Sequence, residues 1–134
     1  MERAVSRWAL WAPVVLYLAL IFGLSSIANP PELPEGSDKN LHALLYSGLG
    51  LLLVRALAGG LNRPVRLGVV VTATVLSALY GISDEIHQYY VPPRQVEALD
   101  VVADTIGGGL AAIALYAWGI IRDRHGLRNP SGRT

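Results

Sequence analysis

Residues 65–88 read VRLGVVVTATVLSALYGISDEIHQ, an apolar run that passes without a break into a short polar segment. From Val65 to Ser83 this run is long enough to cross a hydrocarbon core as a helix, for which about 20 residues suffice. Nothing between Ser83 and Gln88 stops a helix, so the spacing predicts that it continues a turn or more past the membrane into Asp84–Gln88. On that helix Asp84, His87 and Gln88 share a face at i, i+3 and i+4, while Glu85 points away from it by about 100°. Thr72, Thr74 and Ser77 lie inside the run, where hydroxyls bond back to their own helix or across to a neighbour.

The flanking sequence repeats the pattern. Residues 41–61 form a second apolar span with His42 near its start and Arg55 near its end, both close enough to an interface for the arginine to snorkel. Residues 101–121 form another, with Asp104 one turn in and Gly107-Gly108-Gly109 offering a small surface that lets a neighbouring helix approach closely. Residues 8–27 carry no charge and make the first span, with a kink expected at Pro13. Residues 29–40 and 89–99, rich in proline or polar groups, are predicted loops, and Asn62-Arg63-Pro64 a tight turn. The expected architecture is all-α: a small polytopic bundle of about four transmembrane helices over residues 8–121, with a short amino-terminal segment 1–7 and a basic tail 122–134.

Composition agrees with that class. The chain has 134 residues, 52% hydrophobic and 16% charged, and a mean hydropathy of +0.41, well above a soluble domain of average composition. One domain fits in this length, with no room for a separate soluble catalytic module. There is no cysteine, so a disulfide, a thiolate nucleophile and Cys-ligated zinc are all excluded.

The net charge of +1 says little; its distribution orients the spans. Arg3 and Arg7 precede the first span, Arg55, Arg63 and Arg66 surround the second connection, and Arg122, Arg124, Arg128 and Arg133 lie in the tail. Those three regions are expected in the cytoplasm, which puts both termini inside a multi-pass protein of the cell membrane. The other two connections hold only Lys39 and Arg94 beside Glu32, Glu35, Asp38, Asp84, Glu85, Glu97 and Asp100, and are expected outside. A competing reading takes the basic start, the apolar run and Ser26-Ile27-Ala28 as a signal peptide cleaved after Ala28, which leaves three spans.

Three polar stripes therefore gather at one end. Asp38, His42 and Tyr46 are spaced i, i+4, i+8, with Lys39 adjoining; Asp84, Glu85, His87 and Gln88 end the third span; Arg94 follows Pro92 and Pro93; Asp100 and Asp104 open the fourth. Ionisable groups near lipid are costly and call for partners or a purpose. His42 either locks two helices through Asp38 or Tyr46 or acts directly on a ligand. Asp84, Glu85, His87 and Gln88 either face water or supply a base, a proton carrier and an amide. Arg94 either pairs with Asp84 or Asp100 or clamps a phosphate or carboxylate. Capping of the fourth helix accounts for Asp100, whereas Asp104 lies deeper and needs a counter-charge, a proton or a cation. The glycine run is read as close packing.

The blocks Asp38-Lys39-x-x-His42-x-x-x-Tyr46, Tyr80-Gly81-x-x-Asp84-Glu85-x-His87-Gln88 with Pro92-x-Arg94, and Asp100-x-x-x-Asp104-x-x-Gly107 resemble the signature of the VanZ-like membrane protein family. The resemblance spans about Asp38 to Leu115. It implies a small bacterial membrane protein of the cell envelope, linked by the family's name with glycopeptide-antibiotic tolerance, and it implies a site more firmly than a reaction. Pro93 stands where that pattern usually has Gly, and Asp104 where Asn is also common.

Two classes of function remain open. In one, the polar residues bind an anionic lipid or cell-wall precursor, with Lys39 and Arg94 on phosphate, His42 or His87 exchanging a proton, and the carboxylates acting as base or holding a divalent cation. A membrane enzyme acting on a phosphorylated envelope lipid belongs here, with His42, Asp84, Glu85 and His87 as catalytic candidates. In the other, the same residues form an internal ion-pair network in a non-catalytic factor that binds lipid, antibiotic or a membrane partner. Asp84, Glu85, Asp100 and Asp104 would suit magnesium or calcium, and histidine participation would admit manganese or zinc. No short ligand motif such as His-Glu-x-x-His is present, so no metal ligands are assigned and a divalent cation stays a candidate cofactor. Nucleic acid is not an expected partner, since the basic residues already follow lipid orientation. No oligomeric state follows from the sequence.

Overall fold

The computed structural model describes residues 6–32, 34 and 36–124 and holds four helices: α1 (Arg7–Ser25), α2 (Ser37–Ala58), α3 (Leu67–Tyr89) and α4 (Ala98–Arg124). Each is long and apolar enough to cross a membrane, so the chain is a four-span membrane bundle. The expectations placed on Arg3, Glu35, Arg128 and Arg133 lie outside the described residues.

Local chemistry sets the helix ends. Ser6 caps α1, its hydroxyl accepting the N–H of Ala9 at 3.2 Å. Gly36, at φ 79°, turns the chain into α2 at Ser37 rather than at Leu41, so Asp38 and Lys39 belong to the helix and not to the preceding loop. At the other end Gly59, at φ 80°, stops α2 before Leu61 in the left-handed conformation that lacks a steric cost only for glycine. The third helix runs unbroken through Asp84–Gln88, as its spacing predicts. The fourth begins at Ala98 and reaches Arg124, longer at both ends than residues 101–121.

The helices alternate in direction, since His87 at the end of α3 meets Ser26 just past α1, while Arg122 near the end of α4 donates to the Leu61 carbonyl beyond α2. The starts of α2 and α4 and the ends of α1 and α3 therefore share one end of the bundle, where the polar stripes gather. The most extensive packing is α4 on α2, then α4 on α3, with α1 laid against α2 and α3. Lipid tails are as apolar as leucine, so packing and interhelical hydrogen bonds hold such helices together. Large apolar residues such as Leu16, Leu44, Val71, Leu79 and Leu110 are accordingly exposed to the surroundings.

Close approach depends on the glycines. A Cβ on Gly50 would stand 2.5 Å from the Gly108 carbonyl oxygen, and one on Gly107 would run into the Ala43 carbonyl. Two tyrosines tie α1 to its neighbours: Tyr17 donates to the Leu45 carbonyl at 2.9 Å and Tyr80 to the Leu18 carbonyl at 2.7 Å. Thr72 and Thr74 bond back to Gly68 and Val70 one turn earlier, whereas the buried Ser77 hydroxyl has no partner among the described residues.

Arg55 turns its guanidinium onto α1. Pro13 has no N–H to give Ala9 four residues earlier, which orphans that carbonyl inside an otherwise continuous helix. The Arg55 guanidinium supplies the missing donors, reaching the Ala9 oxygen through Nη1 at 3.1 Å and Nη2 at 3.2 Å, and Leu10 at 3.3 Å. Arg55→Met should therefore cost about 1–3 kcal/mol in unfolding experiments in detergent. In a Pro13→Ala background the loss should largely vanish, because the backbone N–H restored by the substitution would donate to the Ala9 carbonyl; an equal loss in both backgrounds would show that Arg55 acts some other way.

Candidate functional site

Because α2 starts at Ser37, Asp38, His42 and Tyr46 form one stripe, with His42 and Tyr46 buried. His42 Nδ1 lies 2.9 Å from Asp104 Oδ1 on α4, and its Nε2 lies 3.8 Å from Asp100 Oδ2. With Asp104 ionised, Nδ1 must carry the proton of that bond, which makes Nε2 the nitrogen turned toward Asp100. Lys39 adds a second tie, its ammonium contacting Asp100 Oδ1, Glu97 Oε2 at 2.6 Å and Asp38 Oδ2 at 3.4 Å. The counter-charge that Asp104 requires is His42. Neither Asp38 nor Tyr46 bonds the imidazole, contrary to the locking arrangement drawn from α2 alone, because the stripe faces α4 and not itself.

Asp100 is not the cap of α4. The helix begins at Ala98, which puts Asp100 inside the first turn, where it favours the positive end of the helix dipole while paired with Lys39. Lys39 is correspondingly held by carboxylates and is not a free phosphate ligand.

The end of α3 builds the opposite wall. Gln88 donates from Nε2 to Asp84 Oδ2 at 3.2 Å and accepts through Oε1 from Arg94 Nε at 3.2 Å and Nη2 at 2.9 Å. The buried amide thus has its orientation set from both sides. Among the described residues Arg94 forms no ion pair, with Asp84, with Asp100 or with any other acid, so three of its five N–H donors remain for other partners. Glu85 is buried rather than turned to water, and Oε2 accepts the Glu97 N–H at 2.8 Å just before α4. His87 leaves the cluster: its Nε2 is 2.9 Å from the Ser26 hydroxyl and its ring stacks on Phe22 with centroids 4.2 Å apart. It faces α1, although Asp84 and Gln88 face the interior, because the i+3 position lies at the edge of that face.

Between these walls is a cavity of about 520 Å³, lined by the apolar Ile21, Leu24, Ile27, Leu41 and Leu45 and by the polar Asp38, His42, Tyr46, Asp84, Gln88 and Arg94. A more polar recess of about 450 Å³ adjoins it, sharing Pro30, Asp38, Gln88 and Arg94 and adding Glu32, Gln95, Glu97 and Asp100. Three buried polar atoms in the first cavity's lining residues have no partner among the described residues: the Tyr46 hydroxyl, Asp84 Oδ1 and Ser25 Oγ. Buried polar atoms in that state ask for a ligand, a proton or water. The arrangement offers a largely apolar cavity, a fork of guanidinium donors in its lining and an imidazole oriented by a carboxylate. That set suits a molecule with a hydrocarbon part and a polar head.

The contributions of Glu97, Ser25 and the α1 residues Ile21 and Leu24 are missing from the sequence reading. Glu97 sits in a predicted loop with no partner in view, and an apolar residue of α1 that lines a cavity looks in sequence like one that faces lipid.

The family model described as VanZ/LLP1 matches residues 8–121, which takes in all four helices apart from Arg7 and the last three residues of α4. No curated protein and no solved structure matches the chain.

Proposed function

The chain belongs to the VanZ/LLP1 family, and from that membership and the form of its polar end we propose that it binds an anionic amphiphile at the bacterial cell envelope. The carrying observation is Arg94, a cation without an acidic partner among the described residues, on the rim shared by an apolar cavity and a polar recess. A hydrocarbon chain would lie along Ile21, Leu24, Leu41 and Leu45, and a phosphate or carboxylate would take the free donors of Arg94. The arginines near α1, the α2–α3 connection and the end of α4 support cytoplasmic termini, which turns the cavity toward the extracytoplasmic side of the cell membrane. A lipid or lipid-linked wall precursor in the outer leaflet is the ligand class that meets such a mouth, and sequestering it is one route to glycopeptide-antibiotic tolerance.

Purified full-length protein in detergent tests this against a polyprenyl phosphate, phosphatidylglycerol and a zwitterionic phospholipid. An anionic amphiphile should raise the unfolding midpoint where the zwitterion does not, since a ligand of the native state alone stabilises it by mass action. Arg94→Ala should weaken that binding at least tenfold, and Arg94→Lys should recover only part because a single ammonium lacks the planar fork. Equal affinity of parent and Arg94→Ala would rule out this head-group site.

A second reading has its own support. Lys39, His42, Asp100 and Asp104 join α2 to α4 through a closed set of contacts, as an internal brace would. In that reading ligand binding is absent, and substitutions there alter stability alone.

A further inference from the structure

We propose that Asp38, His42 and Asp100 form a divalent-cation site at the polar end of the bundle, independent of whether an amphiphile binds. One donor atom from each lies within 4.8 Å of the others. Ligand distances of roughly 2.0–2.2 Å set the donors of a tetrahedral site about 3.4 Å apart, so side-chain shifts of about an ångström close the triad on a metal. Asp38 and His42 are a turn apart on one face of α2, and Asp100 comes from the first turn of α4. One imidazole with two carboxylates suits manganese or zinc better than calcium. Asp104 completes the arrangement: it holds His42 Nδ1 at 2.9 Å and leaves Nε2 for the metal, the carboxylate–histidine support that orients metal-bound imidazoles.

Two further observations point to a ligand here. Asp84 and Tyr46, 4% and 1% exposed, line the same cavity as Asp38 and His42, and Asp84 Oδ1 and the Tyr46 hydroxyl have no partner among the described residues. Of the buried acids Asp84, Glu85, Asp100 and Asp104, only Asp100 touches a permanent cation, Lys39, among the described residues. The others have His42 or neutral donors.

Lys39 is then a built-in competitor. Its ammonium spans Asp38 and Asp100, two of the three ligands, but it also holds Glu97 at 2.6 Å and can keep that partner when a metal takes the others. The cation would add charge beside Arg94 at the mouth of the cavity, where it can bridge protein carboxylates to a phosphate.

Full-length protein in detergent, stripped by a chelator, is titrated separately with manganese, zinc, magnesium and calcium chloride; bound manganese is read by electron paramagnetic resonance and zinc by metal content. The expected result is one manganese or zinc per chain, weakened at least tenfold by Asp38→Ala, whose exposed side chain can be removed without opening the bundle. Lys39→Met should tighten binding by about tenfold through removal of the competing ammonium. Folded Lys39→Met protein that takes up no metal, or Asp38→Ala binding as well as the parent, overturns the site. Lipid binding measured in chelator is a separate readout: lipid bound without any metal uptake defeats only the cation site, and metal uptake without lipid defeats only the amphiphile reading.

Discussion

Gly107→Val should destabilise the bundle by about 3 kcal/mol or more, with loss of most folded protein from membranes. The added atoms meet the Ala43 backbone of α2, whose carbonyl carbon and Cα would lie 2.8 and 2.9 Å from the first new carbon. Backbone cannot rotate away as a side chain can, so the α2–α4 interface must open, and the His42–Asp104 and Lys39–Asp100 contacts open with it. Gly107→Ala is the sharper comparison, because alanine is worth up to about 1 kcal/mol over glycine in a helix interior. At Gly119, also in α4, a Cβ meets nothing within 4 Å, and alanine there should stabilise. At Gly107 the same change should destabilise. Unfolding in mixed detergent would read both, and an equal sign at the two positions would show that α2 and α4 are not in backbone contact. Gly109 should tolerate alanine, since only the Thr74 side chain lies near, at 3.3 Å or more.

The four helices and the gathering of the polar stripes were legible because both follow from local properties. An apolar run of sufficient length must be helical in lipid, where every backbone group needs an internal partner. The i, i+4 spacing of Asp38, His42 and Tyr46 puts them on one face once the helix is granted. Which face meets which neighbour was not legible. His42 and Asp104 are 62 residues apart, and either could have met several other groups of opposite character. Arg55 shows the same limit: its partner is a carbonyl orphaned by Pro13, and both signals stand in the sequence, yet only packing brings them together. Helix ends shifted where turn chemistry overrode hydropathy, as at Gly36, whose left-handed backbone starts α2 early and carries Asp38 and Lys39 into the bundle. For α1, uniform apolarity hides the face that lines the cavity from the one that meets lipid.

His42→Leu should cost about 3–5 kcal/mol, the usual effect of removing one partner from a buried charged pair, because Asp104 is 0% exposed and must either stay charged without a counter-ion or take up a proton. Asp104→Leu should cost less, since a lone imidazole can become neutral and loses one hydrogen bond, about 1–3 kcal/mol. The double variant His42→Leu/Asp104→Leu removes both groups and should be more stable than the His42 single, giving a coupling energy in the double-mutant cycle of about 1–3 kcal/mol. Asp104→Asn should be the mildest of the set: its amide oxygen still accepts from Nδ1, and the buried charge is gone. Additive single effects would mean that the two side chains do not depend on each other and that another group neutralises Asp104. The cycle also separates the two roles open to this end of the bundle. In a brace, the double variant regains stability and nothing else depends on the pair. In a binding site, it regains stability and still fails to take up ligand, because His42 is a wall of the cavity and Asp104 holds it in place.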